Sequence, residues 1–478
     1  MTVLSGLTEQ IYSDREIMAM FSGTETIRRM LQVEAALARA QAQCAFIPAS
    51  AARCIDDVCH VADIDSILDL AGIASASIAA GNIAIPFVRQ LTAAVHKADP
   101  EAARYVHWGA TSQDILDTAL VLQIRQVTAQ LDQDLLTAAK ACACLTAAHR
   151  DTIMVGRTWL QHALPTTFGA KTAGWLEALE RSRVQLRRDG TRIAQLQFGG
   201  AAGTLASLGT AAPAVAREFA RELGLALPAM PWHAHRDRLA HFSATLGILT
   251  GTLGKIARDI SLMAQTEIGE LAEPGGPGRG GSSTMPHKRN PVGCAAILAA
   301  AARVPPLVST MLSAMVQEHE RALGGWQAEW DVLPQIAALT GGALRHLVGM
   351  LEGLEVYPRR MAENLDATNG LILGEAYTLA LGARVGRLQA HELVEEASRE
   401  AVRRGCALSV CIREALAGNP ATQDLLSDEE IEFLRNPAHY VGQAAAICDE
   451  VLKQWRSTPD HSADNIKAPP APGRRGRF

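Results

Sequence analysis

The chain has few aromatic side chains: Phe, Trp and Tyr together make up 4% of its 478 residues. Sheet cores draw on branched and aromatic residues, so this scarcity argues against one. It also lacks excess charge. Forty-five Lys and Arg against 50 Asp and Glu leave a formal charge of −5, which gives no electrostatic footprint for nucleic acid. No stretch of about 18 purely apolar residues occurs, so no membrane span is expected. The opening MTVLSGLTEQIYSDRE has no basic segment followed by an apolar one, so a secretory leader is not expected. The nine cysteines, at 44, 54, 59, 142, 144, 294, 406, 411 and 448, show no zinc-finger spacing. Reduced thiols in a cytoplasmic protein are the expectation. No cluster of His, Asp and Glu has ligand spacing, so no metal or cofactor is expected.

Alanine takes the place of the missing aromatics, and alanine is the best helix former. From Asp114 to Arg150 there is neither Pro nor Gly. Ile115, Ala119, Ile124, Val127, Leu131 and Leu135 recur there at helical spacing and mark one buried stripe. Such a helix would run on the order of 50 Å. Similar patterns span Thr167 to Leu196, Arg236 to Glu270, Val292 to Glu320 and Ala328 to Leu351. The first hundred or so residues read as shorter helices broken by Pro48, Gly72, Gly81 and Pro86, and short helices return after Tyr357-Pro358. A chain of this length exceeds one ordinary core. The expectation is an all-α protein: an N-terminal helical domain over 1–110, an elongated bundle of long helices over 111–353, a C-terminal helical domain over 354–456, and a disordered tail over 457–478. Long helices with apolar residues on several faces cannot bury them all in one subunit, so a homo-oligomer is expected.

The strongest chemical signal is the run from Gly275 to Pro291, GGPGRGGSSTMPHKRNP. Its glycines and prolines end the preceding helix and free the backbone. A mobile loop that runs into Ser, Lys and Asn suits a lid that delivers polar groups to a bound anion. A plain linker would not need those residues at fixed offsets. The run resembles the signature loop of the fumarase/aspartase superfamily, Gly-Ser-Ser-x-Met-Pro-x-Lys-x-Asn-Pro, and matches every fixed position from Gly281 to Pro291. Three more segments fit the same superfamily in the right order: His107–Asp114 (HWGATSQD), Gly156–Pro165 (GRTWLQHALP) and Gly199–Thr204 (GGAAGT). The Thr111-Ser112 pair also reads as a cap on the helix that follows. The two readings agree, because a helix N-terminus attracts anions.

Two departures carry information. The superfamily places a His, the general acid for the leaving group, where this chain has Trp159. Its orienting Glu, five residues after the signature Asn, is replaced by Ala295. Amine and hydroxide leaving groups need that proton. A carboxylate does not, because its conjugate acid has a pKa of about 4. The pattern Gly-Arg-Thr-Trp-Leu-Gln-His is similar to that of the 3-carboxy-cis,cis-muconate cycloisomerases, whose lactone-forming reaction has a carboxylate in that role.

The resemblance implies an enzyme without cofactor that acts on a small tricarboxylate through an aci-carboxylate intermediate. Lys288 and Asn290 would stabilise the developing charge, and Ser282 would move the proton at the α carbon; spacing alone does not choose Ser282 over Ser283. Thr111, Ser112, Thr158 and Gln161 would bind substrate carboxylates, with His107 and Ser283 as further candidates and Arg157, Arg289 and Arg321 as weaker ones. Met285 and Trp159 would line the pocket. His107 and His162 are the alternatives for any acid still needed. The resemblance also implies a homotetramer whose active sites combine segments of different subunits. Two alternatives stay open: β-elimination of the adenylosuccinate lyase type, and a non-catalytic, crystallin-like structural homologue.

Overall fold

A computed structural model describes residues 8–276, 280, 281, 285, 288–321 and 323–458. Ser282, Ser283 and almost all of the tail expected from residue 457 lie outside the described residues. Helix dominates, from Glu9–Tyr12 to Ala444–Ser457. Among the described residues the only sheets are two antiparallel pairs of strands. The five long helices are Ser112–Ala148, Phe168–Ile193, Asp237–Met263, Val292–Ser313 and Gly325–Leu351. The described residues fall into two compact units. The first takes in residues 8–136, Arg181–Lys255 and, of 295–347, those described; the second takes in Thr137–Glu180, the described part of 256–294, and residues 348–458.

In the first unit the stripe on the helix from Ser112 is core: Ile115, Ile124, Val127 and Leu131 are fully buried. Apolar burial of this kind contributes about 1.5–3 kcal/mol per side chain. In the second unit Leu373, Tyr377, Leu381, Val394, Leu408 and Ile412 form a cluster that also takes in Val155.

Several boundaries differ from the sequence reading, each for a local reason. Gly72 and Pro86 do not break helices. Gly72 lies in the first turn of Leu70–Ala80, where its N–H donates to the capping Asp69 carboxylate at 2.9 Å. A side chain there would run into that carboxylate. Pro86 is the third residue of Ala84–Ala98, where an N–H would have no acceptor in any case. The Asp237 helix stops at Met263 rather than Glu270. The chain instead turns through Gly269, at φ 62°, and closes with Glu270 N–H on Met263 O at 2.9 Å. That turn places the Glu270 carboxylate for its partners, described below. The Val292 helix is long and apolar enough, by length and composition alone, to cross a membrane. Arg303 interrupts it, which is why a search for unbroken apolar runs passes over it.

The sequence reading assigned no strands. Strand β1 (Ile153–Thr158) pairs with β2 (Gln161–Thr167), with a bulge between Val155 and Arg157. The two-residue turn is Trp159-Leu160, both in the left-handed region at φ 52° and 64°. Hairpin twist demands this conformation, normally supplied by Asn-Gly. For larger side chains it costs about 1–2 kcal/mol each. The second pair is minimal: β3 (Leu271–Ala272) against β4 (Glu355–Val356).

Candidate active site

In the first unit the site is organised by Asp114, in the first turn of the Ser112 helix. Its buried carboxylate accepts the Thr111 N–H at 3.0 Å, the Gly199 and Gly200 N–H groups at 2.9 Å each, and lies 2.7 Å from His233 Nε2. It therefore fastens the Gly199–Thr204 segment to the His107–Asp114 segment. Glycine is needed at that meeting point: Gly200 has φ 66°, and a Cβ there would lie 3.1 Å from Gly109 O. The Thr111 hydroxyl accepts from Arg321 Nη1 at 3.1 Å, and Arg321 Nη2 reaches the carbonyls of Gly200 at 3.4 Å and Ala201 at 3.2 Å. A hydroxyl, a guanidinium and a helix N-terminus thus converge beside Ser112, a favourable place for an anion.

His107 opens the same segment with a left-handed backbone, φ 58°. Its Nδ1 lies 2.6 Å from Glu34 Oε1, whose side chain is 1% exposed. Burial works against a charged imidazole here, but the Glu34 carboxylate outweighs it by charge and hydrogen bond, Asp114 adds to it, and the His107 pKa is raised.

Deeper in the same helix, Asp117 and Glu329 clamp the Arg236 guanidinium. Asp117 meets Nη1 at 2.6 Å and Nη2 at 3.0 Å, and Glu329 meets Nε at 2.9 Å. Trp326, Gln113 and Gln197 supply further donors to Asp117. The charged groups among them are buried and paired with one another, so they act as scaffold. A cavity of 460 Å³ opens beside them, lined by Phe21, Ile27, Leu116 and Trp330 together with Asp117 and Glu329. Among the described residues its only charged lining groups are those two carboxylates, so it does not suit a tricarboxylate.

In the second unit Arg157 projects from β1 onto Glu270, fork to fork, at 2.9 and 2.7 Å. Asn364 Nδ2 donates to the same carboxylate at 2.8 Å. Both terminal nitrogens of Arg157 are therefore engaged by a residue of the chain itself. Opposite Arg157 in the hairpin register is His162. Its buried Nδ1 has no hydrogen-bond partner among the described residues. Burial pushes its pKa down, Arg157 pushes it further, and Glu270 opposes. Thr158 and Gln161 pair at the hairpin's end and are exposed. Trp159, at the tip, is 96% exposed.

The signature loop is fastened at its base. The Glu273 carboxylate accepts the N–H groups of Gly293 at 3.0 Å and Cys294 at 2.8 Å, which caps the Val292 helix. Arg289 grips Glu355 at 2.9 and 2.7 Å and the Glu273 carbonyl at 2.5 Å. This pairing holds the Glu355 carboxyl at about 2, chiefly through the Arg289 hydrogen bond. Asn290 N–H closes on Gly280 O at 2.8 Å, and Lys288 N–H on Met285 O at 3.0 Å. Glu355 lies on β4, and the Tyr357 N–H just beyond it donates to Glu270 O at 3.0 Å. One two-residue ladder thus anchors both the loop and the arginine of the hairpin. The side chains of Lys288 and Met285 are exposed and Asn290 is half-buried.

The structure therefore gathers His107, Thr111, Ser112 and Arg321 in one place, and carries Thr158, Trp159 and Gln161 on a hairpin tip and Lys288 and Asn290 on the loop. Arg157 and Arg289 hold this hairpin and loop by internal ion pairs. Sequence reasoning passed over Glu34, His233, Glu270, Glu273 and Glu355. A signal existed for Glu34: a carboxylate inside the run LQVEAALARA, on a face that should be buried.

Comparison with known proteins identifies the family. A family model described as Lyase matches residues 8–305, and one described as Adenylosuccinate lyase C-terminus matches residues 370–451. The 3-carboxy-cis,cis-muconate cycloisomerase of Bradyrhizobium diazoefficiens is 50% identical over 451 residues, covering 94% of this chain and 98% of that one. The protein of the same name from Pseudomonas aeruginosa is also 50% identical, over 91% of this chain and 93% of its own length. Among solved structures, the 3-carboxy-cis,cis-muconate lactonizing enzyme from Pseudomonas putida superposes with a TM-score of 0.87 at 45% identity, covering 94% of this chain and 98% of that one. With the signature loop complete and likeness running the length of both chains, the chain belongs to the fumarase/aspartase superfamily of lyases, alongside the 3-carboxy-cis,cis-muconate cycloisomerases.

Proposed function

We propose that the chain is a 3-carboxy-cis,cis-muconate cycloisomerase, forming 4-carboxymuconolactone in the protocatechuate branch of aromatic degradation. The observation that carries this reading is near-full-length likeness to cycloisomerases, joined to the exchange of the superfamily's acid for Trp159. One substrate carboxylate oxygen adds to an alkene carbon and a C–O bond forms. The π pair moves to the adjacent carbon and into the carboxylate it bears, giving an aci-carboxylate. The Lys288 ammonium and the Asn290 amide stabilise that charge as preorganised donors. A proton then joins the α carbon, from Ser282 by analogy with the superfamily. Thr111, Ser112 and Arg321 hold a second carboxylate. The C-terminal family match gives adenylosuccinate lyase chemistry some support, but a nitrogen leaving group needs the acid that position 159 lacks. Incubation with 3-carboxy-cis,cis-muconate and with adenylosuccinate, each followed by ultraviolet absorbance, decides between them. Loss of the muconate absorbance alone supports the cycloisomerase, and turnover of adenylosuccinate alone overturns it.

The working form in this reading is a homotetramer with active sites shared between subunits. Apolar surface on the bundle helices supports it: only 33% of the apolar window of the Val292 helix is buried within the chain, and Ile248 and Leu312 stand exposed. Light scattering on the eluting protein tests this, and a fully active monomer would refute it.

A further inference from the structure

Glu34 is a buried carboxylate, in the helix Gly23–Gln43, for which the reaction scheme has so far given no use. It is 2% exposed. Among the described residues its one hydrogen-bond partner is His107, at 2.6 Å. The nearby Arg39 does not serve it, being held by Asp56 and by Glu222 at 2.7 Å. The other group beside Glu34 is the buried Cys59 thiol, from the helix Ala49–Cys59. A carboxylate taken out of water needs a counter-charge and hydrogen bonds to stay ionised. Here the imidazolium of His107 is the group positioned to supply both. The same helix also grips the neighbouring residue, with Gln41 Nε2 donating to Trp108 O at 2.6 Å.

Resting on the function proposed above, we infer that Glu34 is a positioning residue: it holds His107 by Nδ1, so that the ring turns its Nε2–H towards a substrate carboxylate beside Thr111 and Arg321. Ring geometry makes this possible. An imidazolium donates from two opposite edges, and Glu34 occupies one. Arg157 differs, because Glu270 takes both of its terminal nitrogens. Once protonated, His107 is thus a cation with a donor left for the ligand. Among the described residues the charged groups that act on it are Glu34 and, from the Ser112 helix, Asp114; both favour protonation. The sign follows. The cation is fully present below the ordinary histidine pKa and is lost as pH rises through the raised value.

The test uses the full chain, Glu34→Gln, and two readouts. Histidine C2 hydrogen–deuterium exchange, read by mass spectrometry on the peptide that carries His107, should place its titration lower in the variant than in the wild type. Binding of propane-1,2,3-tricarboxylate, measured by calorimetry, should weaken about tenfold at pH 8, the scale of one lost hydrogen bond to a charged group. At pH 5.5, where more of the variant's rings are protonated, the gap should narrow. KM for the muconate should follow the same pattern, with kcat within about threefold, as expected when binding rather than the chemical step is affected. An unmoved His107 titration, or a binding gap of equal size at both pH values, would overturn the assignment, because a purely structural role gives that result. If Glu34→Gln does not fold, the neutral pair Glu34→Gln with His107→Gln replaces it; binding that remains stronger at pH 5.5 than at pH 8 in that pair would overturn it as well. Neither the exchange nor the calorimetry needs turnover, so a wild type that ignores the muconate but shows both of those effects fails the function proposal alone.

Discussion

Arg321 Nη1 donates to the Thr111 hydroxyl at 3.1 Å, so the residue before the longest helix is tied to a cation that lies 210 positions later in the chain. The hydroxyl can still donate to an anion while it accepts from the arginine. Arg321→Ala should therefore raise KM for the tricarboxylate by one to two powers of ten, with a smaller fall in kcat. Thr111→Val should do part of the same. The double variant should be less impaired than the product of the two, because the pair acts on one ligand group. Steady-state kinetics on the three variants check this, and fully independent effects would separate the two residues.

Asp114→Ala leaves the N–H groups of Gly199 and Gly200 without their acceptor and His233 without its partner. Removing a buried charged partner typically costs about 3–5 kcal/mol. The variant should melt well below the wild type and lose activity in parallel, as the Gly199–Thr204 segment comes away. A normal melting temperature would mean that the segment is held by other contacts.

Lys288→Ala should lower turnover by about two to three powers of ten, since one preorganised stabiliser of this kind contributes about 3–4 kcal/mol. Lys288→Arg should recover little, because a planar guanidinium does not replace a compact ammonium. Near-native kcat in Lys288→Ala would remove Lys288 from the mechanism.

Trp159→His combined with Ala295→Glu rebuilds the acid of the superfamily and its orienting partner. No gain in muconate cycloisomerisation is expected, because the reaction has no poor leaving group to protonate. The wild type should leave adenylosuccinate and argininosuccinate untouched. Robust elimination from either by the wild type would point to another acid, with His107 and His162 first to examine.

The Arg289–Glu355 pair predicts a pH dependence. The Glu355 carboxyl is held at about 2, below its usual value of about 4.3. A depressed carboxyl stabilises the fold above its unfolded pKa, and that contribution declines as pH falls from there towards the folded value. The difference in melting temperature between wild type and Glu355→Gln should be constant above about pH 5 and shrink below about 4.3. The effect is small, because both groups are largely solvated. A gap unchanged down to pH 3.5 would mean that the charge on Glu355 plays no part in it.

The long helices were readable because nothing interrupts them. The stretch from Asp114 contains no Pro or Gly, and its stripe has one period throughout. The hairpin was not, because Trp159-Leu160 contains neither Asn nor Gly and carries no turn signal. The motif loop could be recognised, but its fastening could not: Glu273 caps the helix from Val292, and Glu355 meets Arg289 across 66 positions. Pairings that distant depend on the folded path of the chain, which local patterns do not encode. For the same reason Arg157 and Arg289 read from sequence as free cations for a substrate, although each already faces a carboxylate.

The tip of the hairpin has a consequence for how this protein can be altered. An Asn-Gly turn would join β1 and β2 with less backbone strain, so the hairpin itself gives no reason for Trp and Leu to sit there. Replacing them should make the isolated chain easier to fold and less prone to stick, because two large greasy side chains leave the water-facing surface. Selection for expression or heat resistance alone would drift towards that change. Any engineering of this scaffold should therefore score catalysis alongside yield from the first round.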